Sequence, residues 1–245
     1  MSIYNKIRRA VAKKVVNRKK HLQLKEAIIT FTFDDVPETG FTAGLPILQK
    51  YGFKSTFYVA LGFMDHPVEG GVRYTPEHLK MVVDDQSELA CHTYGHIHCY
   101  QSSKATIEKD LSKNSQRINE VIPGYRFKNF SYPFGEQTIA AKQVVRNKFR
   151  TGRGVNSGIN HGQIDLINLH AYQIGTNITP DQGRALIDEA IRLKGWLIFF
   201  THDVQKDHSL YGCTPELLDS VAAYCSEKKC SVLTMDEAIS RIEGR

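Results

Sequence analysis

Apolar runs of strand length alternate with amphipathic stretches of helical length along most of this chain. Residues 27–33 are nearly all β-branched or aromatic and stop at the acidic pair Asp34-Asp35. Similar runs at 55–60, 88–91, 127–132, 148–151, 169–174, 196–201 and 231–233 predict further strands. Helical spacing predicts helices over 42–51, 76–83, 104–122, 136–147, 181–193 and 215–228. Three of these open on a threonine followed by proline, at Thr75-Pro76, Thr179-Pro180 and Thr214-Pro215, the expected order of cap and first helical residue. Strand-then-helix alternation implies parallel strands joined by right-handed crossovers. Candidate ligands, polar residues and a turn follow the strands: Asp34 and Asp35, His92, Pro133-Phe134-Gly135, and His202-Asp203. In a barrel those strand ends share one face, where active sites assemble. The expected fold is therefore α/β, a single-domain closed or distorted (β/α) barrel.

Chemistry enters with two short stretches, Asp34-Asp35 and His92-Thr-Tyr-Gly-His96. Alone, an Asp pair after a strand is an ordinary turn or cap, and two histidines four apart are ordinary surface residues. Together they offer one carboxylate and two imidazoles with open positions, a set suited to Zn²⁺ or a similar divalent ion. The second aspartate is left free to act as a base on water.

Thr32-Phe-Asp-Asp35, His92-Thr-Tyr-Gly-His96, Phe130-Ser-Tyr-Pro-Phe-Gly135 and Phe199-Phe-Thr-His202 stand in the order and approximate spacing of the polysaccharide deacetylase family, also called the NodB-homology or carbohydrate esterase family 4 group. The chain resembles that family over about residues 28–236. The resemblance implies a distorted (β/α)7 barrel, one divalent metal ion (zinc, with cobalt, nickel or manganese as alternatives) and removal of acetyl groups, usually N-acetyl, from sugars. By position it makes Asp34 the base, Asp35, His92 and His96 the metal ligands, and His202 the acid that protonates the departing amine. It also makes the backbone N–H of Phe134 a donor to the oxyanion. An amide is a poor electrophile and its nitrogen a poor leaving group, so the reaction needs both a Lewis acid and a proton donor.

Three departures from the family pattern change the expectation. Val36-Pro37 stands where the first motif usually continues with glycine, and Ser131 stands near the place of an arginine that pairs with the base. The fourth motif, an aspartate beside a tryptophan that tunes the acid histidine, is not recognisable, and Trp196 lies in a later strand. Arg153, in Thr151-Gly-Arg153-Gly154, is the candidate replacement for the arginine; a plain loop arginine is the equal alternative. Asp203 is a weaker candidate for orienting His202. His98 and Cys99 are expected to serve local packing or to be solvent-exposed rather than to add a ligand, Asn156, Asn160 and His161 are candidates for lining a sugar pocket, and residues 69–73 are either a lid or a plain connection.

Composition narrows the setting. Apolar residues make up 41% and charged residues 24%, as in an ordinary globular protein, and no apolar run approaches membrane-spanning length. Five cysteines, an odd number without zinc-finger spacing, fit a reduced, cytoplasmic setting, and no secretory signal is expected. The net charge of +6 is concentrated: residues 1–20 carry eight lysines and arginines and no acidic residue. The rest is near neutral, which argues against nucleic-acid binding. Ile3, Tyr4, Ile7, Val11 and Val15 fall at helical spacing, so residues 1–22 are expected to form a basic amphipathic segment ahead of a barrel domain at 23–245. That segment either packs on its own domain or makes peripheral contact with an anionic membrane surface. The Tyr132-Pro-Phe-Gly135 form of the third motif resembles a subgroup of the family associated with bacterial surface-sugar synthesis, so the resemblance implies deacetylation or deformylation of an amino sugar, expected to be nucleotide-linked or lipid-linked, in bacterial polysaccharide or lipopolysaccharide synthesis. The rivals are a carbohydrate-binding pseudoenzyme of the same fold and an amidohydrolase on a small non-sugar amide.

Overall fold

A computed structural model describes residues 11–12, 14–64, 67–68 and 71–245. Its centre is one parallel sheet: β1 (Ile28–Asp34), β2 (Thr56–Val59), β3 (Glu88–Cys91), β4 (Asn129–Ser131), β5 (Thr151–Arg153), β6 (Tyr172–Gln173), β7 (Trp196–Thr201) and β8 (Ser231–Val232). Pairing runs β6-β7-β1-β2-β3-β4-β5, and β8 pairs with the start of β1 beside β2. The two edges meet around residue 169: Leu169 bridges Arg153 of β5 in parallel, and three residues later the same segment pairs with β7. The sheet is thus a distorted (β/α)7 barrel. Helices α1 (Leu45–Gln49), α2 (Pro76–Asp84), α3 (Lys104–Val121), α4 (Ile139–Lys148), α5 (Pro180–Leu193), α6 (Pro215–Glu227) and α7 (Met235–Glu243) complete it.

The period of two within each strand divides the core. Ile29, Phe31 and Phe33 of β1, Phe57 and Val59 of β2, Leu89 and Cys91 of β3, and Leu197 and Phe199 of β7 belong to the apolar layer between sheet and helices. Ile28, Tyr58, Ala90, Trp196, Ile198 and Phe200 belong to a second cluster inside the barrel. The alternation that sends Phe33 outward therefore sends Asp34 inward, and the one that sends Cys91 outward sends His92 inward.

The opposite end of the barrel is polar but closed. Glu88, 8% exposed, accepts hydrogen bonds from Thr56 Oγ1 (3.0 Å), Asn129 Nδ2 (2.6 Å) and the Asp236 N–H (2.9 Å) at the start of α7. Thr151 Oγ1 donates to Asn129 Oδ1 at 2.7 Å. Burial pushes the Glu88 carboxyl up to about 7, against the hydrogen bond from Asn129. Met235, Ala238 and Ile239 of α7 join the interior cluster beneath this network.

Several boundaries differ from the sequence expectation for identifiable reasons. The strand expected at 148–151 is Thr151–Arg153, because Lys148 completes α4. Helix α4 begins at Ile139, where the Thr138 side chain accepts from the Ala141 N–H, because 133–135 form a tight 3-10 turn. Helix α7 was not expected, although Thr234 and Glu237 make a reciprocal capping box. Lys19–His21 pairs antiparallel with Gln163–Asp165, and Arg18 donates to the Phe149 and Arg150 carbonyls just past α4. Ala12 and Val16 are buried, whereas Val11 and Val15 are exposed. Residues 1–10 and 13, which carry most of the expected amphipathic surface, lie outside the described residues. Among those described, no helix is long and apolar enough to cross a membrane.

Candidate active site

Three side chains from two strand ends converge at the barrel mouth. One ligand atom from each of Asp35, His92 and His96 lies within 4.8 Å of the others. His92 Nε2 is 3.6 Å from Asp35 Oδ1, and His96 Nε2 is 3.3 Å from Asp35 Oδ2. The inward turn of β3 carries His92, whose Nδ1 lies 2.9 Å from the Ser131 carbonyl on β4. A ring N–H donated there fixes the tautomer and leaves Nε2 as a lone pair toward Asp35. Burial, assisted by His92 and His202, pushes His96 down to about 2, so its imidazole is neutral, the form that ligates a cation. Asp35 Oδ1 is buried without a hydrogen-bond partner. A buried carboxylate oxygen facing two imidazole nitrogens fits a divalent cation.

The local backbone is bent to build this cluster. Asp35 (φ 53°), Thr93 (63°), His96 (47°) and Phe134 (55°) all sit in the left-handed region, and none is glycine. Asp35 takes that turn directly after β1, so the two adjacent carboxylates separate, Asp34 into the barrel and Asp35 toward the histidines. The His92–His96 loop is held from below by Asp110 of α3, which accepts from the Tyr94 N–H at 2.6 Å. Gly62 packs beneath the same loop, where an added Cβ would lie 2.6 Å from the Tyr94 carbonyl oxygen. Left-handed backbone at bulky residues costs energy and is concentrated at functional sites.

Asp34 is buried and ion-paired to Arg153, whose guanidinium reaches it across the barrel from β5. The same nitrogen donates to Ser131 Oγ at 2.5 Å, and the other terminal nitrogen donates to the Gly154 carbonyl at 2.9 Å. The guanidinium carbon lies 5.0 Å from the ring centroids of both Tyr58 and Phe200. Arg153 thus reaches the face where the sequence left its place open, and the small Ser131 side chain makes room for it. Burial works to raise the Asp34 pKa, but Arg153 foremost, then His92 and His202, outweigh it and hold the carboxyl below its usual range. Arg153 occupies Oδ2, while Oδ1 is buried with no hydrogen-bond partner. One carboxylate oxygen is therefore available to accept a proton.

Asp34, Asp35, His92 and His96 line a cavity of about 600 Å³, with His202 and Phe134 also on its walls. Burial lowers the His202 pKa, against the raising influence of Asp34 and Asp35. The Phe134 ring is half exposed, stacks on His98 (4.0 Å, 6°) and lies 4.3 Å from the His96 ring. Val155, Ser157, Tyr172, Gln173, Asn177 and Tyr211 complete the walls. Sequence reasoning missed these because Tyr172 and Gln173 form the two-residue strand β6 and the others sit on irregular segments after β5, β6 and β7, none of them within a recognisable motif.

Other candidates fall elsewhere. Asp203 does not bond His202: it accepts from Ser209 N (2.7 Å), Ser209 Oγ (2.5 Å) and Gln205 Nε2 (3.2 Å). Asn160 is buried as a strand tie, donating to the His170 and Trp196 carbonyls, and His161 is exposed beside Gly195. Neither Asn160 nor His161 lines the cavity, and neither does Asn156. His98 serves packing as expected, with Nδ1 3.0 Å from Glu136 Oε1. Trp196 Nε1 donates to Thr30 Oγ1 inside the barrel. Of the segment 69–73, Glu69 and Gly70 lie outside the described residues, and Arg73 places its guanidinium 3.7 Å from the Phe63 ring centroid.

Comparison with known proteins bears on the family and the fold. The family model "Polysaccharide deacetylase" matches residues 21–149. A peptidoglycan-N-acetylglucosamine deacetylase of Bacillus cereus is 32% identical over 87 residues, 35% of this chain and 37% of that protein. The match thus spans little more than a third of the length of that curated relative. A family 4 acetyl xylan esterase from Clostridium thermocellum, solved in complex with a cobalt ion, superposes with a TM-score of 0.60 at 22% identity, covering 87% of this chain and 90% of that one. A CE4 family pseudoenzyme from Bacillus anthracis superposes with a TM-score of 0.59 at 17% identity, covering 88% and 66%. At such identities the structural likeness speaks to the fold alone.

Proposed function

We propose, for a chain that belongs to the polysaccharide deacetylase family, that it is a metal-dependent hydrolase removing an N-acetyl or formyl group from an amino sugar. The observation that carries this reading is the Asp35–His92–His96 cluster beside an Asp34 carboxylate with one oxygen held and one free. Asp35, His92 and His96 would hold a divalent cation, which would supply Lewis acidity toward an acyl oxygen and a water. Asp34 Oδ1 accepts the proton of the attacking water, while Arg153 keeps the carboxyl ionised and fixed in orientation. The Phe134 backbone N–H is assigned to the developing oxyanion, a contribution of typically a few kcal/mol. His202, whose protonated form the Asp34 and Asp35 carboxylates favour against its burial, delivers a proton to the nitrogen as the C–N bond breaks. The cavity walls hold the sugar, with Tyr172 offering an aromatic face and Gln173 and Asn177 offering hydrogen bonds.

The substrate in this reading is a nucleotide-linked or lipid-linked amino sugar, handled in the cytoplasm during bacterial surface-polysaccharide synthesis. The cavity volume of about 600 Å³ supports a small substrate over a long polymer. The test is metal analysis of the purified protein, followed by acetate or formate release from a panel of acylated amino sugars, their nucleotide conjugates and non-sugar amides. Release from amino sugars that is lost in Asp34→Asn supports the proposal. Metal and sugar binding without release from any substrate would establish a pseudoenzyme, and release from non-sugar amides alone would establish a different hydrolase.

A further inference from the structure

We propose that Tyr211 is a positioning residue for His202, acting from the loop after β7; this rests on the function proposed above. The two rings lie nearly flat on each other, with centroids 5.1 Å apart and planes at 27°. The contact is built by the loop itself. Asp203 turns away from His202 and gathers the Ser209 N–H, the Ser209 hydroxyl and Gln205. Its carbonyl accepts from the Cys213 N–H at 2.9 Å, and the Cys213 carbonyl accepts from the Gln205 N–H at 3.1 Å. The chain is thereby folded back so that the His202 N–H donates to the Tyr211 carbonyl at 3.1 Å. Gln173 Nε2 ties the neighbouring Leu210 carbonyl to β6 at 2.9 Å. Gly212 permits the fold, since a Cβ there would lie 2.3 Å from Asp203 Oδ1 and 2.6 Å from the Asp203 carbonyl oxygen.

A ring held face to face with an imidazole restricts its rotation and keeps water from that face. With the ring so held, His202 keeps a fixed orientation on the cavity wall, where the leaving nitrogen must be protonated. Tyr211 is itself 51% exposed, so its ring is not core packing. The role predicts a dependence on leaving group. An amine departs only with a proton, whereas 4-nitrophenolate departs as a stable anion and needs no donor.

The experiment compares metal-loaded wild type, Tyr211→Ala, Tyr211→Phe and His202→Ala on an N-acetyl amino sugar and on 4-nitrophenyl acetate. Thermal unfolding confirms that each variant is folded. The expected result for Tyr211→Ala is an amide kcat lower by about 10- to 100-fold, with KM changed by less than about 3-fold. Its ester rate stays within about 3-fold of wild type, His202→Ala shows the same split more strongly, and Tyr211→Phe, which keeps the ring, restores the amide rate. A rise in KM with kcat retained would make Tyr211 a sugar platform instead, and overturn the proposal. Equal losses on amide and ester would also overturn it, by pointing to general disruption of the mouth. If the wild type cleaves only the amide, the split between kcat and KM decides. A metal-loaded wild type that cleaves neither substrate refutes the parent function rather than the role of Tyr211.

Discussion

Replacing Arg153 by methionine isolates the buried charge at the centre of this site. Methionine retains much of the aliphatic stem beside Tyr58 and Phe200 but removes the partner of Asp34. Breaking a buried pair by deleting one member leaves an uncompensated charge and costs about 3–5 kcal/mol. An unfolding entropy of roughly 2.1 cal/mol/K per residue over the 245 residues amounts to about 0.5 kcal/mol/K, so the melting midpoint falls by about 6–10 °C. Measured in EDTA, the loss should depend on pH. In the wild type the depressed Asp34 pKa adds stability above the unfolded carboxyl range, and this is lost as pH falls through the folded value. In the variant burial, the largest influence on Asp34, loses its main opponent, so the penalty is greatest at neutral pH and relieved as the carboxyl protonates. The gap between the two proteins therefore narrows as pH falls from 7 toward 4. Adding Asp34→Asn to Arg153→Met removes the stranded charge and should recover about 2 kcal/mol. A variant melting within about 1 °C of wild type at pH 7, with no recovery in the double variant, would refute the reasoning.

Alanine at Asp35, His92 or His96 is expected to abolish stoichiometric metal binding, measured by mass spectrometry of the dialysed protein, and to lower deacetylation by at least about 100-fold. Glu88 titrates with the opposite sign to Asp34: its folded pKa of about 7 means that stability falls as pH rises from about 4.5 to 7, by about 3 kcal/mol. Glu88→Gln should flatten that part of a pH series of urea unfolding curves, and an unchanged slope would contradict the assignment. Gly212→Ala forces the loop off Asp203 and is expected to cost about 1–3 kcal/mol while lowering amide turnover more than ester turnover. Chemical denaturation and the two substrates measure these separately.

The sequence by itself determined the order of the barrel strands' components, because buried strands must be apolar and their ends polar. Strand ends and ligand chemistry brought Asp34, Asp35, His92 and His96 together as one candidate set, and the resemblance to the polysaccharide deacetylase family added Phe134 and His202. The period of two predicts an inward side chain two residues beyond the previous one. Helix α7 was also legible, in the Thr234–Glu237 capping box, although no strong apolar run drew attention to it. Only the tertiary structure decided between the two readings of Arg153, because the Asp34–Arg153 pair joins residues 119 positions apart across the barrel interior. The same holds for Asp203, adjacent to His202 in sequence yet turned into its own loop, and for Tyr211, which reaches His202 only because that loop doubles back. Sequence patterns record which face a residue presents along its own element. Which residue of another element meets it there depends on the curl of the sheet and the path of irregular loops, and neither has a local period.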